Sequence, residues 1–419
     1  MTETDIVVVG AGAAGLAAGE RLAERGLDFL VLEAADRIGG RAYTETDSFG
    51  VPFDHGCHWL HSASKNPFRE IADRLGHRYL KRTSRRAAHM FLKDRPASEA
   101  ERTAAWNAVE AAFAASEGAG RIGRDVAVSE VIDPPADWAR MVEHWMRLLS
   151  SLDAEEISTL DLARYADTGE NWPMLDGYGA LVAAAGRSVP VHTGTAVTAI
   201  DWSGPGVSVT TDAGAIRAKG VIVTVSTNVL AAGAIRFTPA LPAAHADAID
   251  ACPCGYAEKV ALGFDRPFPG LDEVAYIDTL DPSDSARSAV NFTVYPDLRG
   301  HPVAVGQLGG SVSRDLERAG EAAMVDFALA ALADAFGSDI KNHVRAHRVT
   351  RWASDPWIRG AYSCALPGRA ARRLRLADPI AERVFFAGEA TSAEAYSTAH
   401  GARWSGLDAA DRAARATRK

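Results

Sequence analysis

The sequence predicts an α/β fold of two domains cut into one another, and three observations carry that expectation. Asp5–Val9 is an apolar run ending at Gly10, Ala14–Arg25 follows with helical periodicity, and Leu27–Leu32 is a second apolar run. Strand, glycine turn, helix and strand in this order form the opening unit of a doubly wound sheet. Similar strand-like runs return at Val207–Thr211, Val221–Val225 and Arg383–Phe386, the last followed by a helix from about Thr398 to Ala416. Two long stretches of different character separate these pieces. The expected architecture is therefore a Rossmann-type domain from residues 1–80, 187–257 and 377–419, interleaved with a mixed α+β domain from residues 81–186 and 258–376.

Each element has a local reason. Ala97–Ala115 is rich in alanine and glutamate and reads as helix. In Asp137–Leu152, Trp138, Met141, Trp145, Leu148 and Leu149 recur at spacings of three and four, an amphipathic helix. Val207–Thr211 alternates, Asp212–Gly214 turns, and Val221–Val225 is a buried type of strand. Lys259–Phe264 and Ala289–Val294 read as strands and Glu321–Phe336 as a helix. Basic clusters at Lys81–Arg86, at Arg369–Arg375 and at the C-terminus read as solvated faces.

Bulk properties narrow the function. The chain has 419 residues, 47% hydrophobic and 24% charged, ordinary for a globular protein and enough for several cores. The 45 basic and 54 acidic residues leave a net charge of −9, which argues against a nucleic-acid partner and mildly favours cationic ligands. The four cysteines, Cys57, Cys252, Cys254 and Cys364, are too few for a disulfide scaffold. Cys252-Pro253-Cys254 has no second pair to complete a zinc site, so reduced structural thiols and no metal are expected. The first strand begins near Asp5, leaving no room for a signal peptide. Ile6–Gly19 is too short for a membrane span. These features predict a cytoplasmic protein with no membrane association; they leave the oligomeric state open.

Gly10, Gly12 and Gly15 have the G-x-G-x-x-G spacing between strand and helix. The first allows the tight turn, the second lets the backbone approach a pyrophosphate, and the third lets helix and strand pack closely. The phosphates then meet free N–H groups at a helix N-terminus, beginning at about Ala14. Glu33 ends the second strand, where it would accept ribose hydroxyls and repel a 2′-phosphate, so the ligand is FAD or NAD rather than NADP. Arg37, Gly39, Gly40 and Arg41 follow directly; the glycines allow a second close backbone approach and Arg41 offers a fork for phosphate.

The segment Glu33-Ala34-Ala35-Asp36-Arg37-Ile38-Gly39-Gly40-Arg41 resembles the motif of the flavin-containing monoamine and polyamine oxidases. Asp54-His55-Gly56-Cys57-His58-Trp59-Leu60-His61 is similar to that family's next block, and Trp-x-His followed by Asn66-Pro67 is most similar to the polyamine oxidase branch. Further blocks match in order: Asp176–Leu181, Thr195-Ala196-Val197, Val221–Leu230 (with Ser226 where proline is usual), Trp352–Gly368, Ala387-Gly388-Glu389 and Thr398–Ala402. The resemblance implies non-covalent FAD, because Ala361 stands where some members carry a flavin-linked cysteine. It implies that Gly10, Gly12, Ala14, Gly15, Glu33, Ala34, Gly40, Arg41, Gly56, His58, Trp59, Val197, Trp352, Gly388, Glu389, Thr398 and Ala399 surround the cofactor.

The resemblance also implies three catalytic positions. Lys259 matches the lysine that reaches the flavin through a water; taken alone, it would be a lysine at a strand edge. Tyr362 matches one wall of an aromatic cage, which favours an amine; taken alone, it would be core packing. The cage's other tyrosine is replaced by Thr398, with Trp352, Trp357 and Tyr396 as candidates for the missing face. His61 matches a histidine beside the substrate, able to accept a proton or bond an amine, and equally able to be a structural histidine with a satisfied partner. His400 is placed near either the flavin or the substrate pocket. The implied activity is oxidation of a small-molecule amine or polyamine to an imine, with O2 as acceptor and H2O2 as product. The alternatives are an L-amino-acid oxidase using Arg351 or Arg359, a C–C desaturase on the same fold, and a non-catalytic FAD-binding protein.

Overall fold

The computed structural model describes residues 2–81, 89–284, 288–298 and 301–418. The basic cluster at Lys81–Arg86 lies outside them apart from Lys81.

One sheet has eight strands. Its central strand, Thr2–Val9, lies parallel to Gly214–Val223 on one side (Val7 opposite Val221) and to Phe29–Leu32 on the other (Ile6 opposite Phe29). A strand flanked and covered on both sides must be apolar throughout, which is why Ile6, Val7, Val8 and Val9 run without alternation and are all buried. Val384–Phe386 joins in parallel beside Gly214–Val223, with Phe385 opposite Ile222. Val197–Asp201 and Val207–Thr211 extend the sheet antiparallel, so start, middle and end of the chain share one sheet. The first helix, Ala13–Glu24, packs against the last, Ala399–Thr417. The approach is so close that a Cβ on Gly406 would lie 2.1 Å from the Ala14 carbonyl oxygen.

The second sheet has seven strands, with Ala257–Phe264, His301–Gly309, Val290–Leu298 and Ala275–Leu280 adjacent in that order. Alternation divides its two faces. Val260, Leu262, Phe292, Val294, Ala304 and Leu308 pack against Met324, Ala328, Ala331 and Leu332 of the helix Glu321–Phe336. Lys259, Thr293, Tyr295 and Gln307, one residue out of phase, line an internal cavity instead.

The strands Ala275–Leu280, His301–Gly309 and Val344–Val349 have no counterpart in the sequence reading. Ala275–Leu280 is buried at every position, so it lacks the alternating signature, and Val344–Val349 is a partly exposed edge carrying Arg345, His347 and Arg348. The helix expected over Ala97–Ala115 runs from Glu99 to Arg121. Ser98 and Glu101 form a capping box at its start, and its glycine-containing end is held by tertiary contact. A Cβ on Gly120 would lie 2.1 Å from the Thr159 carbonyl oxygen, so this turn fits only without one. No described helix is long and apolar enough to cross a membrane.

Candidate active site

Between the two sheets lies a cavity of about 870 Å³. It collects residues from most of the segments that the motifs single out, Asp176–Leu181 and Asn66-Pro67 excepted. Gly10, Gly12, Ala14, Glu33, Ala34, Gly40, Arg41, Gly56, His58, Trp59, Val197, Trp352, Gly388, Glu389, Thr398 and Ala399 line it, together with Lys259, Tyr362 and His61. Gly15 lies behind the wall; a Cβ there would come within 1.9 Å of the Gly10 carbonyl oxygen, so its task is helix–strand contact. His400 does not line the cavity. It is buried against Trp404 (ring centroids 4.9 Å apart) and Asn66, and burial holds its imidazole down at about 3, hence neutral.

One end of the cavity is backbone. Gly10 has φ +99°, and Gly12 precedes the first helix with no side chain capping it, so the first-turn N–H groups have no side-chain acceptor. Gly39 donates its N–H to Ala11 O at 2.8 Å, bringing the second glycine pair against the first. A Cβ on Gly12 would touch only Gly39 O, at an ordinary 3.9 Å. Nothing in the protein's own packing requires glycine there, and the bare backbone leaves the loop open to close approach from the cavity. Glu33 accepts the N–H groups of Ala11 at 2.6 Å and Ala35 at 2.9 Å, which fixes its carboxylate while leaving acceptor capacity for ribose hydroxyls. Thr195 N–H bonds to Glu33 O at 2.8 Å and leads to Val197 at the same end. Two glycine loops, an uncapped helix N-terminus and an acidic strand end are parts that suit a dinucleotide. Ala361, also in the wall, offers no sulfur for a thioether at the position where the resemblance places one.

One arm of the fork expected of Arg41 is committed within the protein. Its Nη1 bonds to Glu389 Oε1 at 2.9 Å and to Ala361 O at 2.6 Å. Burial opposes the guanidinium charge, but Glu389 and the neighbouring Cys254 outweigh it and keep the group cationic. Glu389 also accepts Ser363 Oγ at 2.7 Å and Ser397 N–H at 2.8 Å, so this buried carboxylate clasps three distant segments. Against burial, Arg41 and Ser363 hold it ionised.

In the middle of the cavity, the Lys259 ammonium donates to Asp54 O at 2.8 Å and Gly56 O at 2.6 Å. Burial lowers its pKa, partly offset by Asp54 and Cys57. Cys57 itself is pushed up to about 12 by burial and stays a thiol; all four cysteines are free. Trp352 is anchored by its backbone N–H on Glu258 Oε1 at 2.6 Å. Burial pushes the Glu258 carboxyl up to about 8, despite the Thr350 hydroxyl and Trp352 N–H that it accepts.

The other end is aromatic. Tyr362 donates its hydroxyl to Leu148 O, so its ring is held rigidly. Thr398, in the position of the second cage tyrosine, is spent as a helix cap: its Oγ1 accepts Gly401 N–H at 2.9 Å and donates to Ala395 O at 2.6 Å. Trp352, Trp357 and Tyr396 all reach the wall. Tyr396 is fixed by its hydroxyl on Asp161 O at 3.0 Å and packs edge-on against Tyr165, with ring centroids 5.3 Å apart. His61 meets Asn171, Nδ1 to Oδ1 at 2.5 Å. Among the described residues no group of His, Cys, Asp and Glu is placed to hold a metal.

Much of this end escaped the sequence reading. Trp106, Val109, Glu110, Phe113, Ala114 and Glu117 of the helix Glu99–Arg121 line the cavity at spacings of three and one, a single helical face. Trp145, Leu148 and Leu149 of the helix Ala139–Ser150 add a second, with Trp106 and Trp145 4.9 Å apart. Asn291, Thr293 and Tyr295 come from alternate positions of one strand and face Gln307, Val305 and Val303 of the next. The alternation was readable, but which face meets a cavity depends on partners distant in sequence.

Comparisons with known proteins agree with this fold. Polyamine oxidase 4 of Oryza sativa subsp. japonica is 29% identical over 442 residues, spanning 97% of this chain and 88% of its own. Human lysine-specific histone demethylase 2 is 27% identical over 444 residues, 98% of this chain and 53% of its own. Among solved structures, the cyclohexylamine oxidase of Brevibacterium oxydans IH-35A superposes with a TM-score of 0.82 at 21% identity, covering 99% of this chain and all of that one. A putrescine oxidase bound to putrescine superposes with a TM-score of 0.79 at 20% identity, covering 98% of each chain. The family described as flavin-containing amine oxidoreductase matches residues 13–414, and the chain belongs to that family.

Proposed function

We propose that this enzyme oxidises the C–N bond of a primary or secondary amine, or of a polyamine, to an imine, with O2 as final acceptor and H2O2 as product. The observation that carries the reading is the buried Lys259 ammonium, held on Asp54 O and Gly56 O in the same cavity as the glycine loops and Tyr362. Bound FAD supplies the two-electron acceptor. On this reading residues 1–80, 187–257 and 377–419 form the FAD domain and residues 81–186 and 258–376 the substrate domain. Four free thiols suit a cytoplasmic location.

The chain's own groups divide the work. The loops around Gly10, Gly12 and Gly40, with Glu33 and Val197, hold the dinucleotide. Lys259 uses two of its three N–H groups on backbone carbonyls; the third holds a water or stabilises negative charge developing nearby. Tyr362, with Tyr396 in place of the missing cage tyrosine, presents aromatic surface that favours an amine and excludes water. His61, oriented by Asn171, hydrogen-bonds the incoming amine. Glu110, Glu117 and Asp167 in the wall favour a cationic ligand on its way in.

An amino-acid substrate would call for an arginine facing its carboxylate. Arg351 and Arg359 are exposed and absent from the wall. Among the described residues the wall's arginines are Arg37, which bonds Gly40 O at 2.8 Å, and Arg41, paired with Glu389. The test is anaerobic mixing of the holoenzyme with polyamines, arylalkylamines, secondary amines and amino acids, followed by aerobic peroxide assay. Flavin bleaching and peroxide with amines, and neither with amino acids, is the expected result. Bleaching by amino acids alone, or by no compound, would overturn the proposal.

A further inference from the structure

The cavity wall holds a chain of three hydrogen-bonded side chains that the roles above do not use. Asp54 Oδ2 lies 2.8 Å from His58 Nδ1, and His58 Nε2 lies 2.8 Å from the Tyr295 hydroxyl. His58 and Tyr295 both line the cavity, Tyr295 from the long strand Val290–Leu298 and His58 from the segment that carries the Lys259 acceptors.

The direction of each bond follows from counting donors. Asp54 Oδ2 also accepts Tyr178 N–H at 3.0 Å, and Oδ1 accepts Gly179 N–H at 3.1 Å and the Thr44 hydroxyl. A buried carboxylate that receives these three donors at the N-terminus of the helix Tyr178–Ala185 is ionised and has no proton to give. His58 therefore carries a proton on Nδ1. In the resting state of the relay proposed below Nε2 is a lone pair and Tyr295 the donor in the second bond. With its proton committed to His58, the phenolic oxygen is left as an acceptor in a cavity wall, which suits an N–H donor and no other part of an amine.

We propose that Tyr295, His58 and Asp54 form a proton relay that converts a bound ammonium into the neutral amine the oxidation requires; this rests on the amine-oxidase reading above. The ammonium N–H bond breaks and its electron pair stays on nitrogen. That proton goes to the Tyr295 oxygen, and the original phenolic proton passes to His58 Nε2. Tyrosine ends neutral and His58 becomes an imidazolium ion-paired with Asp54, with no change of oxidation state. The groups facing the relay are few: Asp54 favours the imidazolium, Lys259 beyond it opposes it, Cys57 stays neutral, and Tyr276 and Trp59 add uncharged aromatic surface.

The experiment is anaerobic flavin reduction by an active amine from about pH 6 to about pH 10 in the wild type and Tyr295→Phe. The variant is expected to lose at least about tenfold near pH 7 and to approach the wild-type rate near pH 10, where free amine no longer needs the relay. A loss equal at all pH values, or no loss, overturns the relay. Failure of the wild type itself to bleach with any amine would instead overturn the amine-oxidase reading. A second readout is independent of turnover: tert-butylamine has no α C–H to oxidise. Adding it to ¹⁵N-histidine-labelled holoenzyme near pH 7 should convert the His58 ring signals, assigned with His58→Gln, to the doubly protonated pattern. An unchanged neutral pattern with the amine bound overturns the proposal.

Discussion

The two ends of the cavity are built by different means. The dinucleotide end is mostly backbone, supplied by the turns around Gly10–Gly15 and Gly39–Gly40, with Glu33 between them. The aromatic end is mostly side chains, drawn from the helices Glu99–Arg121 and Ala139–Ser150 and from four strands between residues 257 and 309. Backbone can approach a ligand closely only where side chains are missing, so the first end leaves its trace as glycines at set spacing. The second end needs only bulk, aromatic faces and a few polar atoms, which many residues at many positions supply.

Substitutions at the two ends should therefore fail differently. The largest effect is expected at Gly15→Val, where even a Cβ would lie 1.9 Å from Gly10 O. We expect loss of more than about 4 kcal/mol of stability, read as insoluble or flavin-free protein. A soluble, yellow variant would show that the helix can move away from the strand. Next comes Lys259→Met, which should keep its flavin, by absorbance ratio, yet slow one half-reaction by roughly 10²-fold. Unchanged reduction and reoxidation in stopped flow would remove Lys259 from the chemistry.

Gly12→Ala sharpens the contrast with Gly15. Gly12 has φ −73°, and its added Cβ would meet only Gly39 O at 3.9 Å. The apoprotein should melt as the wild type does, while the FAD dissociation constant rises roughly tenfold, about 1.4 kcal/mol. An unaltered affinity would mean that the dinucleotide does not touch this loop.

The smallest effect concerns pH. The Glu258 carboxyl is raised by burial to about 8 in the folded chain, against an ordinary value of 4.5. Below the ordinary value both states are protonated and nothing is lost. Above it the unfolded carboxyl ionises while the folded one stays neutral, so stability falls as pH rises from 4.5 towards 8. Glu258→Gln should flatten that decline and melt roughly 2–4 °C higher than the wild type at about pH 8, with no gain at about pH 4.5. Parallel melting curves at all pH values would show that Glu258 is not the source.

Legibility follows the same division. Gly10, Gly12, Glu33 and Gly40 are readable because their spacing within one strand–turn–helix–strand unit carries the whole geometry. Lys259 and Tyr362 were found through ordered motif blocks rather than through any local pattern. Tyr295 was missed because nothing in Asn291–Tyr295 says that its odd-numbered side chains face a cavity while Phe292 and Val294 face the helix Glu321–Phe336. Trp106 and Phe113 were missed for the same reason on a helix. Thr398 shows the reverse: its identity was plain, but its use as a helix cap was visible only in the fold.

The sequence by itself determined the α/β class, the nucleotide loops and the order in which the segments return to one sheet, because these rest on contacts between near neighbours and on backbone conformations open chiefly to glycine. Only the tertiary structure decided which side chains share the cavity. Arg41 meets Glu389 across 348 positions and His58 meets Tyr295 across 237. Such pairs are chosen by the packing of two sheets, and burial then sets their charge: it holds His400 neutral at about 3 and lifts Cys57 to about 12, shifts that no local stretch of sequence contains.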